Sequence, residues 1–267
     1  MLSKKQIKEL KDNGCIKIDN FLNSGELFYL KNIIEYYSAP KSSRNSYWPT
    51  KKYQLFLKLL KFDFLKIKHS LNLLKFEKNK GLKNYAELAL ETKCYLNFID
   101  AYVSKKSSLN IIPWHTDQAY DGESKPKEFV NPNKYFIKVF IYLTDVSSKN
   151  GCMSYIPGSH KIGFAVRKGI YNKEIKYKPY WNLKDMRKIV IENKNYLIKF
   201  FDNQDYYVNK FLEKTNFIES ENDTEEFDHN VKAGGALIFD EGGSHRGSSP
   251  TQNDRMVLRY MYSAFKN

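Results

Sequence analysis

Apolar and polar positions follow two rhythms along the chain. Near the start, SKKQIKELKDNG puts Ile7 and Leu10 on one helical face and stops at Asn13-Gly14. CIKIDNF then alternates with period two, as a strand does. In LNSGELFYLKNIIEYY, Leu27, Leu30, Ile33 and Ile34 recur at helical spacing behind a cap at Asn23 or Ser24. Residues 51–92, rich in Leu and Lys, predict mostly helix. After them the period shortens. YLNFIDAYV (95–103), KYFIKVFIYLTD (134–145), MSYIP (153–157), GGALIFDE (234–241) and RMVLRYMYSAF (255–265) are aromatic and β-branched runs bounded by Gly, Asn and Pro. Lys105 to Pro113 predicts a loop, and GSHKIG a turn. Residues 164–230 are polar, basic and aromatic, with a helical stretch around 183–217.

Helices first, then short strands between turns, predict an antiparallel β-sandwich or jelly roll with flanking helices. No repeat or linker interrupts the 267 residues, so a single domain is expected. Residues 1–92 would form its helical part, 95–163 and 231–267 the jelly-roll core, and 164–230 an insert near the substrate pocket.

Composition narrows the classes. At 42% hydrophobic and 15% aromatic residues, the chain is too apolar to be disordered as a whole. No apolar run reaches the roughly 18 residues of a membrane helix, and the opening MLSKKQIKEL has no secretory core, so no membrane partner is expected. Cys15, Cys94 and Cys152 are odd in number and far apart. They form neither a disulfide framework nor a CxxC site, which points to the cytoplasm. The net charge of +14 would suit nucleic acid or an anionic substrate. Its lysines are scattered, however, and accompany abundant Asn, Ile and Tyr, as in an AT-rich genome. Nucleic acid is therefore not the expected partner. Only six of the 44 basic residues are Arg, and Arg246, Arg255 and Arg259 lie within fourteen residues of one another. Arg is kept where a planar, forked donor matters.

WHTD supplies the first chemistry. On a strand, His115 and Asp117 would face the same side, a start for a metal site. Alone, the pair also fits a strand-end His bonded to an Asp. His245, after a strand and a Gly-Gly-Ser turn, is the best third ligand, with His229 as its rival. Two His and one carboxylate form the facial triad of non-haem Fe(II), which leaves three coordination positions open. His69 reads as a surface residue, His160 as structural, and Cys152 as a buried, inert thiol.

Several segments in order carry a resemblance: IKELKDNGCIKIDNFLNSGEL, WHTD, LTDVSSKNGCMSYIPGSHK, and GALIFDEGGSH followed by Arg. Together they resemble the phytanoyl-CoA dioxygenase family of Fe(II)/2-oxoglutarate-dependent oxygenases. The resemblance implies a double-stranded β-helix, the cupin-like jelly roll. It implies His115, Asp117 and His245 as iron ligands, and 2-oxoglutarate and O2 as cosubstrates. Arg255, ten residues after His245, would hold the far carboxylate of 2-oxoglutarate, with Arg259 as the alternative anchor. Phe140 would lie against the cosubstrate. Alternation then turns Lys138 and Tyr142 inward with it, where Lys138 needs an anionic partner, substrate or internal carboxylate. Tyr102 is a further hydroxyl donor. The family's Ser two residues after the distal His is Gly247 here. With Asp117 present, hydroxylation of an unactivated C–H bond is expected rather than halogenation, with release of succinate and CO2. The expected substrate is a small molecule, an anionic metabolite among the candidates. Arg167, Arg187, Tyr171, Tyr177, Tyr180 and Trp181 would suit such a ligand. An oxygenase of nucleic acid or another macromolecule, and a binding protein that has lost activity, are the alternatives.

Overall fold

A computed structural model describes residues 2–37, 46–109, 112–118 and 135–265. Residues 110–111 of the expected loop and the first residue of the 134–145 run lie outside them. Two antiparallel sheets face each other. The larger has the order β1-β8-β5-β10-β3-β2: Cys15–Ile18, Ala236–Asp240, Phe136–Tyr142, Arg255–Ser263, Tyr95–Ser104 and Ser46–Trp48. The smaller is β4-β9-β6-β7: Ile112–His115, His245–Gly247, Met153–Tyr155 and Asp228–His229. This is the expected jelly roll with flanking helices.

Alternation on β5 sorts side chains as the pattern predicts. Ile137, Val139 and Ile141 join the core under the N-terminal helices, while Phe140 and Tyr142 join the core between the sheets. The first helix, α1 (Lys4–Asn13), begins at a Ser3–Gln6 capping box and ends at left-handed Gly14. The second, α2 (Ser24–Tyr37), begins at a reciprocal Asn23–Glu26 pair, with Asn23 as the cap. Residues 51–92 form three helices, α3 (Lys52–Leu60), α4 (Phe64–Lys80) and α5 (Leu82–Leu90).

Two local expectations need correction. GSHKIG is not a turn. Gly158 adopts φ +87, and the chain enters a helix at Ser159 that runs to Tyr171. Gly163 on this helix lets the backbone of Gly242 approach: a Cβ there would meet Gly242 O at 2.2 Å. Asp117 is not on a strand either. The ladder of β4 ends at His115, and the backbone N–H of Thr116 turns to Trp181 O at 2.9 Å. The insert, with Ile162 just before it, forms a helical core around Met186, Leu197 and Phe211, packed on Trp114 of the smaller sheet and on Ile156 just after β6.

Candidate metal centre

The site begins with strand pairing. His115 ends β4, His245 opens β9, and the two are register partners with ring centroids 4.3 Å apart. The turn after β4 swings Asp117 back between them. Its Oδ1 lies 3.2 Å from His115 Nε2 and its Oδ2 3.2 Å from His245 Nε2. Among the described residues these three form a cluster whose ligand atoms lie within 4.8 Å of one another.

The tautomers follow from the backbone. His115 Nδ1 is 2.7 Å from Pro113 O, and His245 Nδ1 is 2.9 Å from Gly243 O. A carbonyl oxygen only accepts, so each Nδ1 carries the proton and each Nε2 presents a lone pair. Those lone pairs face carboxylate oxygens, which also only accept. Such convergent acceptors, on imidazoles just 3% and 5% exposed, need a cation between them. The donor set therefore fits a divalent metal ion with open positions. His245 is held below the usual imidazole range by burial. Burial alone would raise the Asp117 carboxyl, but the Lys138 ammonium beside it outweighs burial and holds it well below the carboxylate range. Trp181, from the insert, lies against the His115 ring at 4.9 Å.

Lys138 finds internal partners. Its Nζ donates to Asp117 Oδ2 at 2.6 Å and lies 2.9 Å from Glu241 Oε1. Glu241 was not among the expected residues. The signal was present: continuing the alternation Leu237, Phe239 along β8 places residue 241 on the interior face.

A cavity of about 520 Å³ opens from this centre, lined by Tyr102, Lys138, Phe140, Arg255 and Arg259 as well as the three cluster residues. The two arginines differ. Arg259 is held bidentate by buried Asp100, at 2.7 and 2.6 Å. Arg255 has no carboxylate partner among the described residues. Its Nη1 donates to Gly151 O at 3.0 Å, its Nη2 to Tyr102 Oη at 2.5 Å, and its buried Nε has no hydrogen-bond acceptor among the described residues. A buried guanidinium so placed suits a carboxylate entering from the cavity.

The remaining expected residues lie elsewhere. His229 sits on β7 with Nε2 3.7 Å from Cys15 Sγ, outside the cluster. His160 is buried, with Nε2 against Lys11 O at 3.1 Å. His69 is half-buried on α4, with Nδ1 3.2 Å from Tyr37 Oη. Ser248 and Ser249 hydrogen-bond backbone carbonyls of Cys152 and Ser108. Arg187 is held by Glu219, Thr215 and Leu212 O, and Arg167 by Gln118. Neither arginine lines the cavity.

A jelly roll with two histidines and a carboxylate at the mouth of its cavity defines a class, the non-haem metalloenzymes. The family comparison is specific. The chain belongs to the phytanoyl-CoA dioxygenase (PhyH) family, whose model matches residues 10–257. It is thus an Fe(II)/2-oxoglutarate-dependent dioxygenase, with Fe(II), 2-oxoglutarate and O2 as the family's cofactor and cosubstrates. Solved structures share the fold. EvdO2 from Micromonospora carbonacea var. aurantiaca is 11% identical, covering 98% of this chain and 91% of its own, with a TM-score of 0.60. SnoK, a non-haem α-ketoglutarate-dependent carbocyclase from nogalamycin biosynthesis, is 15% identical over 98% and 84%, with a TM-score of 0.56. HygX from Streptomyces hygroscopicus, solved with nickel, 2-oxoglutarate and hygromycin B, is 16% identical over 98% and 87%, with a TM-score of 0.54. A comparison with curated protein sequences gave no match. Among the described residues, no helix is long and apolar enough to cross a membrane.

Proposed function

We propose that the chain hydroxylates a small molecule at an unactivated C–H bond, with His115, Asp117 and His245 as its iron ligands. The observation that carries this reading is the convergence of two Nε2 lone pairs and a carboxylate on one buried point. Arg255, with Tyr102 fixing its guanidinium and Phe140 walling the cavity, would hold the far carboxylate of 2-oxoglutarate. Arg259 is satisfied by Asp100 and stays structural. Iron, with 2-oxoglutarate and O2, would supply the oxidising chemistry; the protein's part is to ligate, orient and exclude water. Lys138, matched by two carboxylates, is assigned to the centre rather than to substrate. At the cavity rim, Lys105 shares an exposed pair with Asp254, 51% and 41% accessible. Such a pair is worth little in water, so an anionic group on the substrate can compete for Lys105. HygX, whose structure holds hygromycin B, is a precedent within the fold for a small-molecule substrate.

The test is anaerobic titration of Fe(II) and 2-oxoglutarate, followed by their visible charge-transfer absorption. The band should vanish in His115→Ala and require much more 2-oxoglutarate in Arg255→Ala. A band of undiminished strength in His115→Ala would overturn the ligand assignment. Succinate release then screens small substrates, where Lys105→Ala should raise KM for anionic ones.

A further inference from the structure

We propose that the helix pair α3–α4 is a docking surface for an anionic lipid bilayer. Short helices owe their stability to packing, yet α3 has no buried residue. It presents Phe56, Leu57 and Leu60 to solvent, the turn that follows adds Phe62, and the start of α4 adds Phe64 and Leu65. Of the nineteen large hydrophobic side chains exposed among the described residues, ten fall between Tyr47 and Leu71. Phe62 marks the apex. It takes a left-handed backbone at φ +53, uncommon for a bulky residue, and leaves its ring 78% exposed. Scattered surface hydrophobics need no explanation, but a contiguous cluster does.

The charge around this cluster identifies the occupant. Residues 46–76 hold seven Lys and one acid, Asp63, which is +6 of the chain's +14 in 31 residues. Asp63 itself caps α4 through Lys66 N at 3.2 Å. Lys52, Lys61 and Lys68 are exposed among the apolar side chains. Phe and Leu mingled with Lys on a helix suit the headgroup boundary of a bilayer, with apolar groups buried roughly 5–10 Å deep. The cations add attraction to anionic headgroups. A second copy of the chain docked about a two-fold axis would set this positively charged face against itself. A nucleic acid would leave the leucines without a partner. The expectation of no membrane partner came from the lack of a spanning segment. It does not bear on a helix pair that lies on the surface.

The test is sedimentation of the full chain with phosphatidylcholine vesicles, with and without phosphatidylglycerol. Binding should need phosphatidylglycerol and weaken with salt. Lys52→Glu/Lys61→Glu should lower it by more than about tenfold. Lys176→Glu/Lys188→Glu, the same charge change on the insert, should lower it far less. Leu60→Ser/Phe62→Ser should abolish the binding that persists in salt. Because every side chain changed is exposed, these variants should melt with the wild type. No sedimentation with phosphatidylglycerol vesicles at low salt would overturn the proposal. So would equal losses in the two lysine pairs, which would mean diffuse attraction. A concentration-dependent dimer lost in Leu60→Ser/Phe62→Ser would assign the face to a second copy instead.

Discussion

Replacing Lys138 with Met tests the electrostatic account of the metal centre without any turnover. The Lys138 side chain is 10% exposed and bridges Asp117 and Glu241, the latter's side chain only 7% exposed. Burial lowers the ammonium's affinity for its proton, but the two carboxylates outweigh it and keep Lys138 charged. Methionine preserves the length and removes the charge, which leaves two carboxylates in the interior with no counter-ion between them. Removing one member of a buried ion cluster costs roughly 3–5 kcal/mol. For a chain of this size each kcal/mol moves the melting midpoint by roughly 2–4 °C. The metal-free variant should therefore melt roughly 6–20 °C below the wild type. A divalent cation reverses the sign of the argument. Lys138 opposes a second cation at Asp117, so its removal should tighten metal binding by roughly tenfold or more. Ni(II) should then raise the midpoint of Lys138→Met more than that of the wild type. Adding Glu241→Gln to Lys138→Met should return much of the lost stability, since one of the unmatched charges is gone. Calorimetry in chelator and in excess Ni(II) reads both effects. A metal-free Lys138→Met within about 1 kcal/mol of the wild type, or equal Ni(II) shifts in the two proteins, would refute the reasoning.

Other perturbations follow from the same geometry. Asp100→Ala leaves Arg259 buried without its carboxylate and should cost roughly 3–5 kcal/mol in chemical denaturation, whereas exposed Asp254→Ala should cost under about 1 kcal/mol. Gly163→Ala forces its methyl against Gly242 O, beside the Gly243 carbonyl that orients His245. It should cost about 1–3 kcal/mol and weaken Ni(II) binding, and unchanged metal affinity would mean the turn yields harmlessly. Burial holds the His229 imidazole down to about 4 from 6.5, so in the native state it stays neutral where the unfolded chain takes a proton. Stability attributable to it is present above about 6.5 and lost as pH falls towards about 4, by up to roughly 3 kcal/mol. His229→Gln should flatten that acid loss in pH-resolved melts.

Sequence pattern carried the fold where one rule governed a segment. On β5 and β10, burial on one face and a second core on the other leave a period-two record, and the strands lie where the alternation ends. The helix start at Asn23 or Ser24 was legible for the same reason, since capping is local, and the structure chooses Asn23. The three residues of the candidate centre were legible because the WHTD motif and the strand-turn segment before His245 single them out, and the fold brings the three together. What escaped was non-local or irregular. His115 and Asp117 share a site through a turn that ends the ladder, and the backbone of Trp181 takes up Thr116 N; no two-residue spacing encodes that partner. Lys138 required an anion, yet its two carboxylates arrive from the turn after β4 and the end of β8, and only the register of β5 against β8 unites them. GSHKIG carries the Gly and Ser of a turn because left-handed Gly158 sits just before the helix, and the helix itself is sanctioned by packing: Gly163 admits the Gly242 carbonyl and Ile162 enters a core built by the insert. The choice between Arg255 and Arg259 was likewise open until β3 brought Asp100 opposite Arg259 and Tyr102 beside Arg255. One arginine is thereby neutralised, and the other lines the cavity with no carboxylate partner among the described residues.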